Sequence, residues 1–231
     1  MRLIAAIFSV LMLFSEIPAQ EQKQSELPPG DKPPMTVIDR VKEAGTAEDH
    51  KGASYIIVYD SLENKVTGQG VTYTDQLIVY KIFDEKGCRD MSVQSWHYEP
   101  MSSAVEVKEV NLIRDGARIP VPLQDIKDLP APQSGIYWQD RIKLLQLPRL
   151  QINDAIEIKT FRKGFSYALL DNNNLPPQDE KYIPPMPGEY FDIILFQARV
   201  QIIKKRHVLK LPADKRLHSE IYNGPLYART T

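Results

Sequence analysis

The chain is poor in the residue types from which most catalytic and metal sites are built. It has one cysteine, Cys88, and four histidines, His50, His97, His207 and His218, in 231 residues. A single cysteine excludes an internal disulfide framework and any multi-cysteine metal cluster. The nearest approach to a zinc motif is His50 beside Glu48 and Asp49, which reads as solvated loop. Charge of one sign is missing too: 29 Lys and Arg stand against 30 Asp and Glu. No global basic field therefore exists to draw in nucleic acid or anionic lipid. The one basic block, Lys204 to His207, lies between apolar residues and reads as a solvated turn or sheet edge. There is no Gly-x-Ser-x-Gly elbow, no phosphate-cradling glycine loop, and no close pair of carboxylates in an apolar surround. Asp125, Asp128, Asp140 and Asp154 read as turn or loop residues. The expectation is no metal, no cofactor, no nucleic acid and no catalytic residue within this chain.

Apolar material is present in ordinary amount, 42% of residues, which is enough to build a core and excludes wholesale disorder. Eighteen prolines argue against a helical bundle. The start, Met1-Arg2, then the apolar run Leu3–Phe14, then Ser15 to Gln20, has the layout of a secretory signal peptide cut near Ala19. That run is too short to span a bilayer, which takes roughly 20 apolar residues. Residues 1–19 are therefore expected to be removed. The mature protein is expected in the periplasm or outside the cell, with no further membrane span.

Residues 20–52 read as a flexible, proline-rich lead holding one short helix. Thr36 is placed to cap that helix, Gly45 to end it, and Val37, Ile38 and Val41 share a face. Ten residues make a marginal helix unless that face docks. Residues 53–231 read as strands. Tyr55–Tyr59 and Leu62–Thr67 precede a glycine turn, and Val71–Asp84 is a long strand. In it Ile78, Tyr80 and Ile82 point one way and Leu77, Val79 and Phe83 the other, as in the middle of a packed sheet. Asp84–Gly87 reads as a turn, and Met91–Tyr98 and Ala104–Arg114 as strands. Asp115-Gly116 is a hairpin signal with Arg118–Val121 returning from it. Pro120 to Pro132 reads as irregular, and Gln139–Leu147 as a strand. Ala155–Arg162 reads as a strand with a wet face carrying Glu157 and Lys159. After a polar loop, Asp171–Pro187, the last strands are expected at Tyr190–Arg199 and Val200–Leu211. Short strands punctuated by turns predict a mainly β fold, an antiparallel β-sandwich of two packed sheets with proline-rich loops.

Three functional readings follow. Trp96, Tyr98, Tyr137 and Trp138 flank turns and are the candidate binding residues, able to form a stacking surface for glycan or peptide. Alternation along a strand also buries one of each adjacent pair, so core packing accounts for some of them. Cys88 with His97 is the one conceivable nucleophile–base pair, but the turn expected at Cys88 lacks the helical setting that activates a thiol. The third reading is a module whose side chains pack and present, leaving chemistry to another segment.

A family pattern supports the third. The segments KIFDEKG (Lys81–Gly87), NLIRDGARIPVP (Asn111–Pro122), IYWQDRIKLLQLPRLQINDAIEIKTFRKG (Ile136–Gly164) and EYFDIILFQARVQIIKKRHVLKLP (Glu189–Pro212) resemble the DUF3857 domain. That domain occurs in secreted bacterial proteins, notably of the Bacteroidetes, just before a transglutaminase-like domain. Asn153 stands where the family commonly has glycine before the aspartate, and asparagine also tolerates positive φ. The shared motifs are turns and strand ends. The resemblance implies a non-catalytic exported β-sandwich accessory module, and a chain that is the amino-terminal part of a longer transglutaminase-like protein. Such a module would pack on the catalytic domain or position its substrate. The alternative is a free-standing glycan- or peptide-binding module.

Overall fold

The computed structural model describes residues 35–132, 140–165, 190–222 and 228. Every element described lies in one compact unit, Pro33–His218. The fold is mainly β. Six strands form one sheet: β1 (Tyr55–Val66), β2 (Thr72–Ile82), β4 (Ser103–Arg114), β5 (Ala117–Pro120), β8 (Ala155–Gly164) and β9 (Lys205–Lys210). Their order is β5-β4-β8-β2-β1-β9. A second sheet has three strands, β3 (Val93–Tyr98), β7 (Arg141–Gln146) and β6 (Lys127–Pro130), in the order β3-β7-β6. Helices α1 (Val37–Glu43) and α2 (Glu85–Asp90) complete the described elements. None is long and apolar enough to cross a membrane.

The large sheet is buried on both faces, as the two-sided pattern of β2 predicts. Ile78, Tyr80 and Ile82 join Val110 and Leu112 of β4, Ile156 and Ile158 of β8, and Leu145 of β7 in the core between the sheets. Val79 and Phe83 join Ile56, Val58, Ile113 and Ala155 on the opposite face, under α1. Helix α1 has the expected cap, Thr36, which accepts from Asp39 N–H. It lays Val37, Ile38 and Val41 on the sheet, and that docking is what makes seven residues of helix stable. Lys81 reaches across from β2 and donates to the carbonyls of Val41 and Gly45 at 2.9 and 2.7 Å, satisfying the helix C-terminus. Asp115 (φ 51) and Gly116 (φ 78) both take left-handed conformations, the two-residue turn that suits a twisted hairpin. Asn153 has φ 73, so it does make the turn glycine would make.

Several expectations are corrected. Asp84–Gly87 opens α2, because the Asp84 carboxylate accepts from Gly87 N–H at 2.7 Å and caps a helical turn that buries Cys88. The proline-rich stretch contains β6, whose last residue, Pro130, is tolerated because β6 is an edge. Glu157 is not on a wet face. It is 1% exposed, held by Arg118 at 2.8 Å and Asn111 at 3.1 Å. Asp154 is likewise buried, in a two-point pair with Arg114 at 2.7 and 2.8 Å. His50 is no solvated loop residue. It stacks on Phe83 and bonds to the carbonyl of Ala44 at 2.6 Å and to Gln201 at 2.8 Å. Tyr190–Arg199 carries strand-forming residues but no ladder, and it is β9 that pairs with the outer side of β1. Strand β9 pairs with β1 in parallel, with a further parallel bridge between Ile57 and Ile202, while the other strand pairs among the described residues are antiparallel. The basic block does form an edge, with Lys205 turned inward onto Asp60 at 2.8 Å. The Asp171–Pro187 loop lies outside the described residues.

Candidate functional site

The face of the large sheet that meets the small one changes character along its length. At one end it is the apolar core. At the other, the same alternation brings up polar side chains. Register pairs Asn64 with Thr74 and Leu62 with Gln76 between β1 and β2. It pairs Gln76 with Thr160 and Thr74 with Arg162 between β2 and β8, and Arg162 with Val105 between β8 and β4. A two-residue period keeps all of these on one side of the sheet. Trp96 of β3 stands opposite and Asp192 completes the lining of a cleft of about 220 Å³.

Its polar groups are tied to neighbouring side chains and backbone. Gln76 donates to Asp60 at 2.8 Å, and Lys205 binds the other oxygen of that carboxylate at the same distance. Asn64, 2% exposed, donates from Nδ2 to the Tyr190 hydroxyl at 3.3 Å. Tyr190 in turn donates to Asp192 at 3.2 Å, and burial pushes its hydroxyl pKa up to about 12. The carbonyl oxygen Oδ1 of Asn64 is buried and unpartnered. Arg162 donates to the His97 carbonyl at 2.8 Å and to Ser103 Oγ at 3.3 Å, both neutral acceptors. Burial alone pulls the pKa of its guanidinium down. His207 pairs with Leu62 in register. Burial lowers its pKa, and its Nε2 is also an unpartnered buried atom.

The structure separates the residues singled out from the sequence. Trp96 lines the cleft. Tyr98 follows it on the same face of β3, two residues on, but its hydroxyl is committed to Asp128 at 2.7 Å. Asp128 also pairs with Arg141 at 2.8 Å, and burial raises the Tyr98 pKa. Tyr137 and Trp138 lie outside the described residues. Cys88 does sit in a helix, against expectation, but its thiol is buried in the inter-sheet core. Burial, and then the neighbouring acids Glu85, Asp154 and Asp84, push its pKa up, away from a reactive thiolate. His97 is exposed, on the side of β3 away from Trp96. Among the described residues no group of three or more His, Cys, Asp or Glu is arranged to hold a metal.

Sequence reasoning missed Asn64, Gln76, Arg162 and Asp192. One signal was readable. Along β2 the even-numbered positions run Thr72, Thr74, Gln76 and then Ile78, Tyr80, Ile82, so one face turns from polar to apolar halfway.

No curated protein matches this sequence. Among the solved structures that match part of it are two proteins. One is from Parabacteroides distasonis and is described as a "putative protease"; it is 13% identical with a TM-score of 0.43, over 48% of this chain and 23% of its own. The other is yeast LTA4 hydrolase in complex with bestatin, 14% identical with a TM-score of 0.26, over 47% of this chain and 14% of its own. The chain thus spans less than a quarter of either protein, and neither likeness bears on its chemistry. A family model does match, over residues 68–231: DUF3857, a domain of unknown function with a solved structure. On that match, and with the β-sandwich it carries, the chain belongs to the DUF3857 family.

Proposed function

We propose that the chain is a non-catalytic accessory module, exported by its leader and cut near Ala19. Its cleft takes up one end of a polar chain and positions it for a transglutaminase-like catalytic domain, the partner that the family resemblance implies. The observation that carries this reading is the cleft itself: a wall of hydrogen-bonding side chains, with Gln76 tied through Asp60 to Lys205, facing Trp96. Such a lining binds and orients. At about 220 Å³ it is smaller than the roughly 300–1,000 Å³ of sites that engulf a small molecule, so a chain end suits it better than a whole ligand. The buried, pKa-raised Cys88 supports a presenting role over a nucleophilic one. The reading of a free-standing glycan binder is favoured by one feature, the Trp96 ring at the cleft wall.

Tryptophan fluorescence of the full chain, titrated with short peptides and with oligosaccharides, tests both readings. A saturable change with one ligand class, lost in Trp96→Ala, is the expected result. A flat response to both classes overturns the proposal. Amino-terminal sequencing of the protein from cell fractions tests export: a mature start near Gln20 is expected, and retained Met1 in the cytoplasm would refute it.

A further inference from the structure

The cleft carries two polar groups that the protein leaves unanswered. The first is a charge. Arg162 is partly buried, and the oxygens its guanidinium meets are a backbone carbonyl and a hydroxyl. Two other basic groups partly sunk in the sheets meet an acid, Lys205 with Asp60 and Arg114 with Asp154, whereas Lys81 is met by two carbonyls that cap a helix and faces no cleft. Among the described residues no carboxylate pairs with Arg162. A guanidinium is a rigid fork of donors matched to a planar carboxylate, and a desolvated cation gains most from an anion brought to it. The second is an acceptor. Asn64 Oδ1 is buried at the same lining, and an unmet buried acceptor costs free energy until a donor reaches it.

From these two groups we infer that the cleft is a peptide carboxyl-terminus site: Arg162 receives the terminal carboxylate, Asn64 Oδ1 accepts an amide N–H of the same ligand, and Trp96 covers the chain. This rests on the accessory-module reading and names its ligand class. Two features favour a peptide over an acidic sugar chain. Asp192 lies on the same lining, where its carboxylate suits the N–H donors that a peptide carries and a galacturonate chain lacks. The cleft's volume also admits a single chain end.

The test is calorimetric titration of the full chain with Ala-Ala-Ala, with its carboxyl-terminal amide, and with tri-galacturonic acid. The free acid is expected to bind at least about tenfold more tightly than the amide, the factor set by one charge-assisted hydrogen-bonded contact. Arg162→Gln should erase that difference, and Arg162→Lys should restore part of it. The comparison of acid with amide needs only the wild-type protein, so it decides the matter even if a variant misfolds. Equal binding of acid and amide overturns the carboxylate site and leaves the module reading standing. Preference for the galacturonate, dependent on Arg162, overturns the peptide assignment. Binding of none of the three overturns this site; if the broader fluorescence titration is also flat, the module reading falls with it.

Discussion

At the scale of single residues, the buried charges carry the most legible energetics. Asp154 is 1% exposed, accepts from the Gln151 N–H at 2.7 Å, and holds Arg114 at two points. Asp154→Asn keeps the shape but removes the charge that Arg114 answers. Removing one partner of a buried pair costs roughly 3–5 kcal/mol, and Arg114 keeps some access to water, so a loss of about 2–3 kcal/mol is expected in urea denaturation. A change under about 0.5 kcal/mol would show the pair to be idle. Acid should act through Asp84 and Glu109. The Gly87 N–H holds the Asp84 carboxyl below its ordinary range, and Lys159, then Asn111, do the same for Glu109. A carboxyl whose folded pKa is lowered adds stability that is complete above its unfolded value and lost as pH falls through the lowered one. The urea midpoint should therefore hold steady from neutrality to about pH 5 and fall below about pH 4. Asp84→Ala should flatten that acid limb. A wild-type midpoint that rises on acidification would contradict the assignment.

At the scale of elements, context overrides propensity at α2. Glycine is a poor helix former, and replacing it by alanine inside an exposed helix gains about 1 kcal/mol. At Gly87 the added Cβ would stand 2.1 Å from the Ser54 carbonyl oxygen and 3.1 Å from Ile82. Phe83 N–H already donates to that oxygen at 2.9 Å, so it is not free to retreat. Gly87→Ala should therefore destabilise, by about 1–3 kcal/mol as overpacking does, against the sign that helix propensity gives. Equilibrium denaturation measures it, and a stabilised variant would mean that α2 packs less closely on the β1 entry. Helix α1 was readable down to its cap and apolar face because both signals are local. Helix α2 was not, since its apolar positions become a face only when the inter-sheet core exists to receive them.

At the scale of the whole molecule, the two sheets hold together through one core. Leu145 on the small sheet is 1% exposed among Ile82, Leu112 and Ile156 of the large one, and Cys88 lies in the same cluster. Leu145→Ala should cost about 2–5 kcal/mol through lost contact and residual cavity. Cys88 reports the consequence without a label elsewhere, as the chain's one thiol. In the native protein iodoacetamide should modify it far more slowly than in urea, because the thiol is both buried and raised in pKa. Labelling should speed up in Leu145→Ala as the sheets part more often. Native labelling at the unfolded rate would show that this core does not close over Cys88.

What the sequence by itself determined is whatever depends on neighbours in the chain. Two-residue alternation assigned Ile78, Tyr80 and Ile82 to one core and Val79 and Phe83 to the other. Asp115-Gly116 marked a hairpin, Asn153 supplied a positive φ where a glycine is usual, and Thr36 marked a helix start. Only the tertiary structure decided what depends on partners distant in sequence. Glu157, read as lying on a wet face, and Asp154, read as a turn residue, are buried because Arg118 and Arg114 arrive from strand β5 and from the end of β4 to neutralise them. Strand-forming residues at Tyr190–Arg199 make no strand, and the outer side of β1 pairs with β9 instead. The cleft is the fullest case. Asn64, Gln76, Arg162 and Trp96 come from four different strands, and pairing register, which no local pattern encodes, is what sets them around one space.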